Sequence, residues 1–219
     1  MLLDKIIQII KKDFLVEWRS KYILPGTLLY VVSSVYVAYL SFKKIISVNV
    51  WAALFWVILL FACVNLVSNS FSSQNKARML YQYTLMPART FILSKIIYNA
   101  LIMLMIGIIS LLFFSGLLGN PVQDMLVFIF TLVFGSIGLS GVFTLISAIA
   151  SKTGNGYAFV AILGFPIVLP LLMIIIKLTK NTLDGIAWEV NLKYIIALLA
   201  MNTIVVVLAY LLFPYLWRD

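Results

Sequence analysis

The chain has no histidine among its 219 residues, one cysteine and only seven acidic residues. Without histidine there is no imidazole to ligate a metal or a haem iron, and no Ser-His pair for nucleophilic catalysis. Cys63 has no second cysteine to pair with, so cysteine usage is silent on the redox compartment. No two acids fall together inside an apolar segment, which leaves an intramembrane hydrolase or a metal-dependent phosphotransferase without its catalytic groups. Charge of either sign is scarce. Charged residues make up 11% and apolar residues 64%, against roughly 25% and about 45–50% in soluble domains. Those proportions predict an integral membrane protein.

Six stretches, 22–42, 45–75, 96–123, 125–151, 153–176 and 194–217, contain no charged residue. Each reaches the roughly 20 residues that a helix needs to cross about 30 Å of hydrocarbon. They leave about 64 residues for tails and loops, with no single piece near the roughly 50 residues of a folded domain. No ATPase, kinase or soluble catalytic domain is therefore expected within these residues. The chain 1–219 reads as one six-span domain, with an interfacial helix over 1–21 and spans at about 22–42, 48–75, 96–118, 125–151, 157–176 and 194–217.

Lys and Arg outnumber Asp and Glu by 16 to 7, but the cations stand at span ends rather than along a nucleic-acid-binding face. With an inside start and six crossings, 11 fall inside: Lys5, Lys11, Lys12, Arg19, Lys21, Lys76, Arg78, Arg89, Lys95, Lys152 and Arg218. Five fall outside, at Lys43, Lys44, Lys177, Lys180 and Lys193. The positive-inside bias then puts both termini in the cytoplasm. Asp4, Lys11, Lys12, Asp13 and Glu17 interrupt any signal-peptide core, so no cleavable signal is expected. No ionisable residue falls deep in a predicted span, which argues against a proton- or ion-coupled carrier.

Ahead of the first span, Leu3, Ile7, Ile10, Phe14 and Trp18 recur at steps of three and four. This spacing predicts an amphipathic helix lying in the membrane interface, with Lys5, Gln8, Lys12 and Arg19 opposite. It would serve as an anchor, or would also touch a cytoplasmic partner; Pro25 marks a bend into the first span. The second span turns polar, with Asn65, Asn69 and Ser72 on one face, suited to interhelical hydrogen bonds or to a polar path. The loop 76–95 carries four cations and no acid, yet Met79, Leu80, Tyr83 and Met86 share one side of a short helix. Asn75 is its predicted N-cap and Pro87 its end. Apolar residues on such a helix lie against the membrane surface or dock into a partner protein. In a chain with no energy-converting domain, that is where an ATPase subunit would push, with Arg78 and Arg89 flanking the contact.

Gly135, Gly138 and Gly141 with Ser136 and Ser140 predict close helix approach in the fourth span. The following turn, with Lys152, Gly154 and Gly156, lacks the glycine spacing of a phosphate loop. In the fifth span Pro166 and Pro170 remove two backbone donors four residues apart, predicting a kink or an unwound segment that is a fixed bend or a hinge. Residues 177–193 read as the sizeable external segment, with Ile186, Ala187 and Val190 in a short interfacial helix.

Asp13-Phe14-Leu15-Val16-Glu17-Trp18-Arg19, the loop end Ile92-Leu93-Ser94-Lys95, and Lys152-Thr153-Gly154-Asn155-Gly156 followed by Phe165-Pro166-Ile167-Val168-Leu169-Pro170-Leu171-Leu172 resemble the CcmB family of cytochrome c biogenesis permeases. The resemblance extends over nearly the whole chain in length, span number and motif order. It differs in the loop after the second span, where residues 72–78 are neutral to basic and many family members carry acids and a glycine. The resemblance implies an all-α, ABC-2-type permease with six transmembrane helices and a short cytoplasmic coupling helix between spans two and three. It implies a homodimer in the bacterial inner membrane, paired with a separate ATPase (CcmA) that binds ATP-Mg. A haem-handling protein (CcmC), a small membrane protein (CcmD) and a haem chaperone (CcmE) are the further partners, with haem as a possible cargo. No catalytic site and no resident cofactor or metal are expected on this chain. Alternatives are an ABC-2-type permease exporting another amphiphile, a lipid or drug, and a non-transporting scaffold.

Overall fold

The computed structural model describes residues 2–20, 23–42, 45–72, 87–151 and 156–218. They form seven α-helices: α1 (Leu2–Ser20), α2 (Ile23–Phe42), α3 (Val48–Ser72), α4 (Ala88–Leu118), α5 (Met125–Ala150), α6 (Gly156–Leu183) and α7 (Trp188–Arg218). Six of them, α2 to α7, are long and apolar enough to cross a bilayer. The protein is an all-α, six-span membrane protein, as the composition predicts.

A lipid-embedded backbone must pair every N–H and C=O within the protein, and apolar runs of about 20 residues or more do so as helices rather than as the shorter strands of a barrel. Several buried hydroxyls follow the same rule. Thr27, Ser94, Thr131 and Thr144 each donate to the carbonyl four residues back. Such hydroxyls are satisfied without breaking the helix that carries them.

Helix α5 is the axis of the bundle: it packs against α3, α4, α6 and α7, and 67% of its most apolar window is buried, against 22% for α2 at the edge. Glycine makes those contacts close. A Cβ on Gly135 would lie 2.5 Å from Trp56 Cη2, and one on Gly138 would lie 2.5 Å from Asn202 Oδ1 and 3.0 Å from both Leu171 methyls. One half of the core is aromatic: Trp51 stacks on Phe55 at 5.4 Å, and Phe114 and Phe128 meet the pair edge-on or tilted. The large apolar side chains left outside, such as Leu29, Leu126, Ile162 and Met173, face where lipid belongs.

The helices alternate in direction, so the start of α2 and the end of α7 share one side with the ends of α3 and α5 and the starts of α4 and α6. On the other side Asp124 caps α5 by accepting from Val127 N at 3.2 Å. Gly185, at φ +66, ends α6 in the left-handed conformation, and Ile186 N reaches back to Asn181 O at 2.9 Å, the six-to-one bond of a Schellman turn. Thr182 O instead accepts from Gln123 N and Asp124 N, at 3.2 and 3.3 Å.

Three boundaries differ from the sequence reading. Helix α4 starts at Ala88 and α6 continues to Leu183, well beyond the charge-free stretches, because a helix carries Lys and Arg readily at its ends. Only residues 184–187 separate α6 from α7; Val190 belongs to the first turn of α7 rather than to a separate interfacial helix. Helix α6 runs without interruption through Pro166 and Pro170, so the segment is not unwound. Both prolines are exposed on its outer side while Val168 and Leu171 point inward.

Candidate functional site

Helix α4 leaves Pro87 and is buried almost at once. Thr90, Phe91, Ile92, Ser94, Lys95, Ile96, Tyr98 and Asn99 all lie near its start and are all buried. Three neighbours account for this. On one flank α1 supplies Asp13, whose Oδ2 lies 2.9 Å from Lys95 Nζ, with side-chain exposures of only 8% and 4%. Lys12 Nζ approaches the other carboxylate oxygen at 3.3 Å, and the Tyr98 hydroxyl donates to the Asp13 carbonyl at 3.4 Å. On the opposite flank Phe91 stacks on Phe213 of α7 at 5.9 Å, and the Arg89 guanidinium sits 4.8 Å from the Tyr210 ring centroid. Behind both, Asn99 Nδ2 donates to Thr144 Oγ1 of α5 at 2.9 Å.

The start of the third span is therefore held by an ion pair, an aromatic pair and a buried side-chain hydrogen bond to three different helices. These contacts differ in kind. A cation over a partly exposed ring is worth about 0.5–1 kcal/mol, so Arg89→Ala should shift thermal stability only slightly, as read by unfolding in mild detergent. The Lys95–Asp13 pair is desolvated, and its geometry is demanding: each charge is tolerated only while the other is in place.

Lys95, counted from the sequence among the inside cations at span ends, is buried between α1 and α4 against Asp13. Of the predicted stripe, Ile7 and Phe14 are exposed and Ile10 is half-buried, while the buried side of α1 carries Ile9 and Asp13 with Ile6 half-buried beside them. Ile6, Ile9 and Asp13 are themselves spaced by three and four, so an acid placed on an apolar stripe was the readable signal. Asn99 and Thr144 carried no such mark.

The other predicted site residues are dispersed. Phe14 lies on the outer face of α1; Trp18 and Arg19 belong to its end, with side chains outside the described set. Gly156 opens α6, and Pro166 and Pro170 lie further along it. Arg78, Leu80, Tyr83, Met86, Lys152 and Gly154 lie outside the described residues. Among those described, no three His, Cys, Asp or Glu side chains gather as a metal site, and Cys63 is a free, buried thiol. The described part of the junction is built from packing, one ion pair and hydrogen bonds.

A search of curated proteins gives no match for the chain. Residues 4–213 match the family described as CcmB protein, a span that contains the junction and all six transmembrane helices almost entirely. The chain belongs to the CcmB family, the membrane permease subunit of the haem exporter of cytochrome c maturation, which works with an ATPase partner.

Proposed function

We propose that the chain transmits the motion of a CcmA-like ATPase, docked on the segment 76–87 that leads into α4, into the six-span bundle, and so couples ATP hydrolysis to haem delivery or to release of the haem-loaded chaperone. The observation that carries this reading is the Lys95–Asp13 pair at the head of α4. Helix α4 is the element that emerges from that loop, and its first turns are tied to α1, α5 and α7 at once. A push on the loop thus reaches the bundle through a stiff helix rather than a slack linker. In this reading both termini lie in the cytoplasm of the bacterial inner membrane, and Leu80, Tyr83 and Met86 form the docking contact, with Arg78 and Arg89 beside it. The turn with Lys152, Gly154 and Gly156 faces the same side, and Trp18 and Arg19 hold α1 in the interface.

On the far side of the cycle, Pro166 and Pro170 serve as the hinge in α6, where missing backbone donors lower the cost of bending. Two copies of the chain pair with two ATPase subunits that bind ATP-Mg, and CcmC-, CcmD- and CcmE-like proteins complete the assembly. Haem is the cargo of the assembly rather than a cofactor resident here. The family assignment supports that choice over a lipid or drug exporter.

Co-purification from mild detergent tests the docking assignment. Tyr83→Asp or Met86→Asp puts a carboxylate into an apolar contact, and the ATPase recovered should fall about tenfold, while yield of the membrane subunit stays unchanged. Stoichiometric ATPase with both variants would remove the loop from the interface.

A further inference from the structure

Between α1 and α4 runs a groove of about 590 Å³, lined chiefly by Ile10, Phe14, Leu101, Met105 and Ile108, with Lys11 on its wall. Its size falls within the range of about 300–1,000 Å³ found for small-molecule sites, and no acid lines it. We propose that this groove holds one acyl chain of an anionic phospholipid from the surrounding leaflet, with the phosphate of the headgroup on Lys11.

Three observations point to that occupant. The first is depth: the α4 residues that line the groove run from Tyr98 to Ile108, which at about 1.5 Å per residue is roughly 15 Å. That is half of a hydrocarbon core about 30 Å thick, the reach of a single leaflet's chain. The second is shape and polarity. Leu101 and Met105 are 50% and 54% exposed, so the groove opens sideways to the bilayer, and its lining suits hydrocarbon rather than a hydrogen-bonding ligand. The third is charge. Ile10, Lys11, Phe14 and Leu15 all line the groove from α1, and Lys11 is exposed there; the nearby acid, Asp13, is already engaged by Lys95 and Lys12. A lysine of this kind extends its ammonium towards the headgroup level while its stem stays on apolar surface. The bound chain would wedge the outer face of α1 against the span to which Asp13 latches its inner face.

Lipid binding in the groove is independent of ATPase docking and is tested separately. The intact complex, purified in mild detergent, is supplied with phosphatidylglycerol or phosphatidylcholine of identical chains, and retained lipid is counted by native mass spectrometry. Phosphatidylglycerol should be retained about fivefold better, the worth of one cation at an anionic surface. Lys11→Gln should remove that preference and leave phosphatidylcholine retention as it was. Met105→Trp and Leu101→Trp, each filling the groove from a half-exposed position, should reduce retention of both lipids. A preference that survives Lys11→Gln, or wild-type retention in both tryptophan variants, overturns the proposal. So does haem, rather than phospholipid, as the molecule lost on filling the groove.

Discussion

Asp13→Leu and Lys95→Met, made singly, should each destabilise the protein by about 3–5 kcal/mol, while the double variant should recover most of that loss. The asymmetry follows from desolvation. The two side chains are 8% and 4% exposed, so water repays little of the cost of burying either charge, and their mutual attraction at 2.9 Å offsets it. Removing one partner leaves the cost and takes away the attraction. Removing both replaces the pair with apolar groups of similar volume, which is often neutral in stability. Thermal unfolding in mild detergent, followed with limited proteolysis of α1, reads the three variants. Equal and small losses in all three would mean that the pair is solvated and holds nothing.

The double variant also separates strength from transmission. Its two apolar replacements would pack but would not fix the direction of α1 on α4, because apolar contacts slide where an ion pair does not. In a complex that works as proposed, the double variant should assemble with its ATPase and yet support markedly less c-type cytochrome than wild type. Wild-type cytochrome levels from a stably folded double variant would reduce the junction to a structural brace and move the coupling elsewhere.

The bundle was readable where one physical signal dominates. Long charge-free runs define spans because ionised side chains are costly in hydrocarbon, and all six were visible that way. The glycines of α5 were readable as close-approach points, though not what would approach them: Trp56, Leu171, Asn202 and Val205 come from three other helices. The junction was legible only in part. Leu3, Ile7, Ile10, Phe14 and Trp18 make a regular stripe, but an interfacial helix has two apolar neighbours, the lipid and the bundle, and periodicity does not tell them apart. Ile7 and Phe14 are exposed, and Ile9 and Asp13 are buried against the protein. The burial of Lys95 was not legible, because only a carboxylate far earlier in the chain makes a lysine bordering an apolar run an interior residue. Pairings of that sequence separation have no local signature. Arg89, by contrast, stayed near the surface, as a cation at a helix start should.

Trp56 is the side chain on which the central contact of three helices depends, and Trp56→Ala should cost about 3–5 kcal/mol. It is fully buried on α3, donates from Nε1 to Thr179 Oγ1 of α6 at 2.7 Å, and rests its six-membered ring on Gly135 of α5. Truncation would lose the packing, leave a cavity that rigid helices close only in part, and remove the donor from a buried hydroxyl. Gly135→Ala attacks the same contact from the other side. Its new methyl would stand 2.5 Å from Cη2 and 3.0 Å from Cζ3, and overpacking of this kind costs about 1–3 kcal/mol. Those ring atoms are absent from phenylalanine, so Trp56→Phe opens the space that the methyl needs. The pair Trp56→Phe and Gly135→Ala should therefore cost less than the sum of the two single changes, by about 1 kcal/mol or more, the range found for residues in direct contact. Unfolding of the four proteins by a denaturing detergent in mixed micelles gives the cycle. Strict additivity would mean that α3 and α5 can separate without strain, and that glycine at 135 answers to something other than the indole.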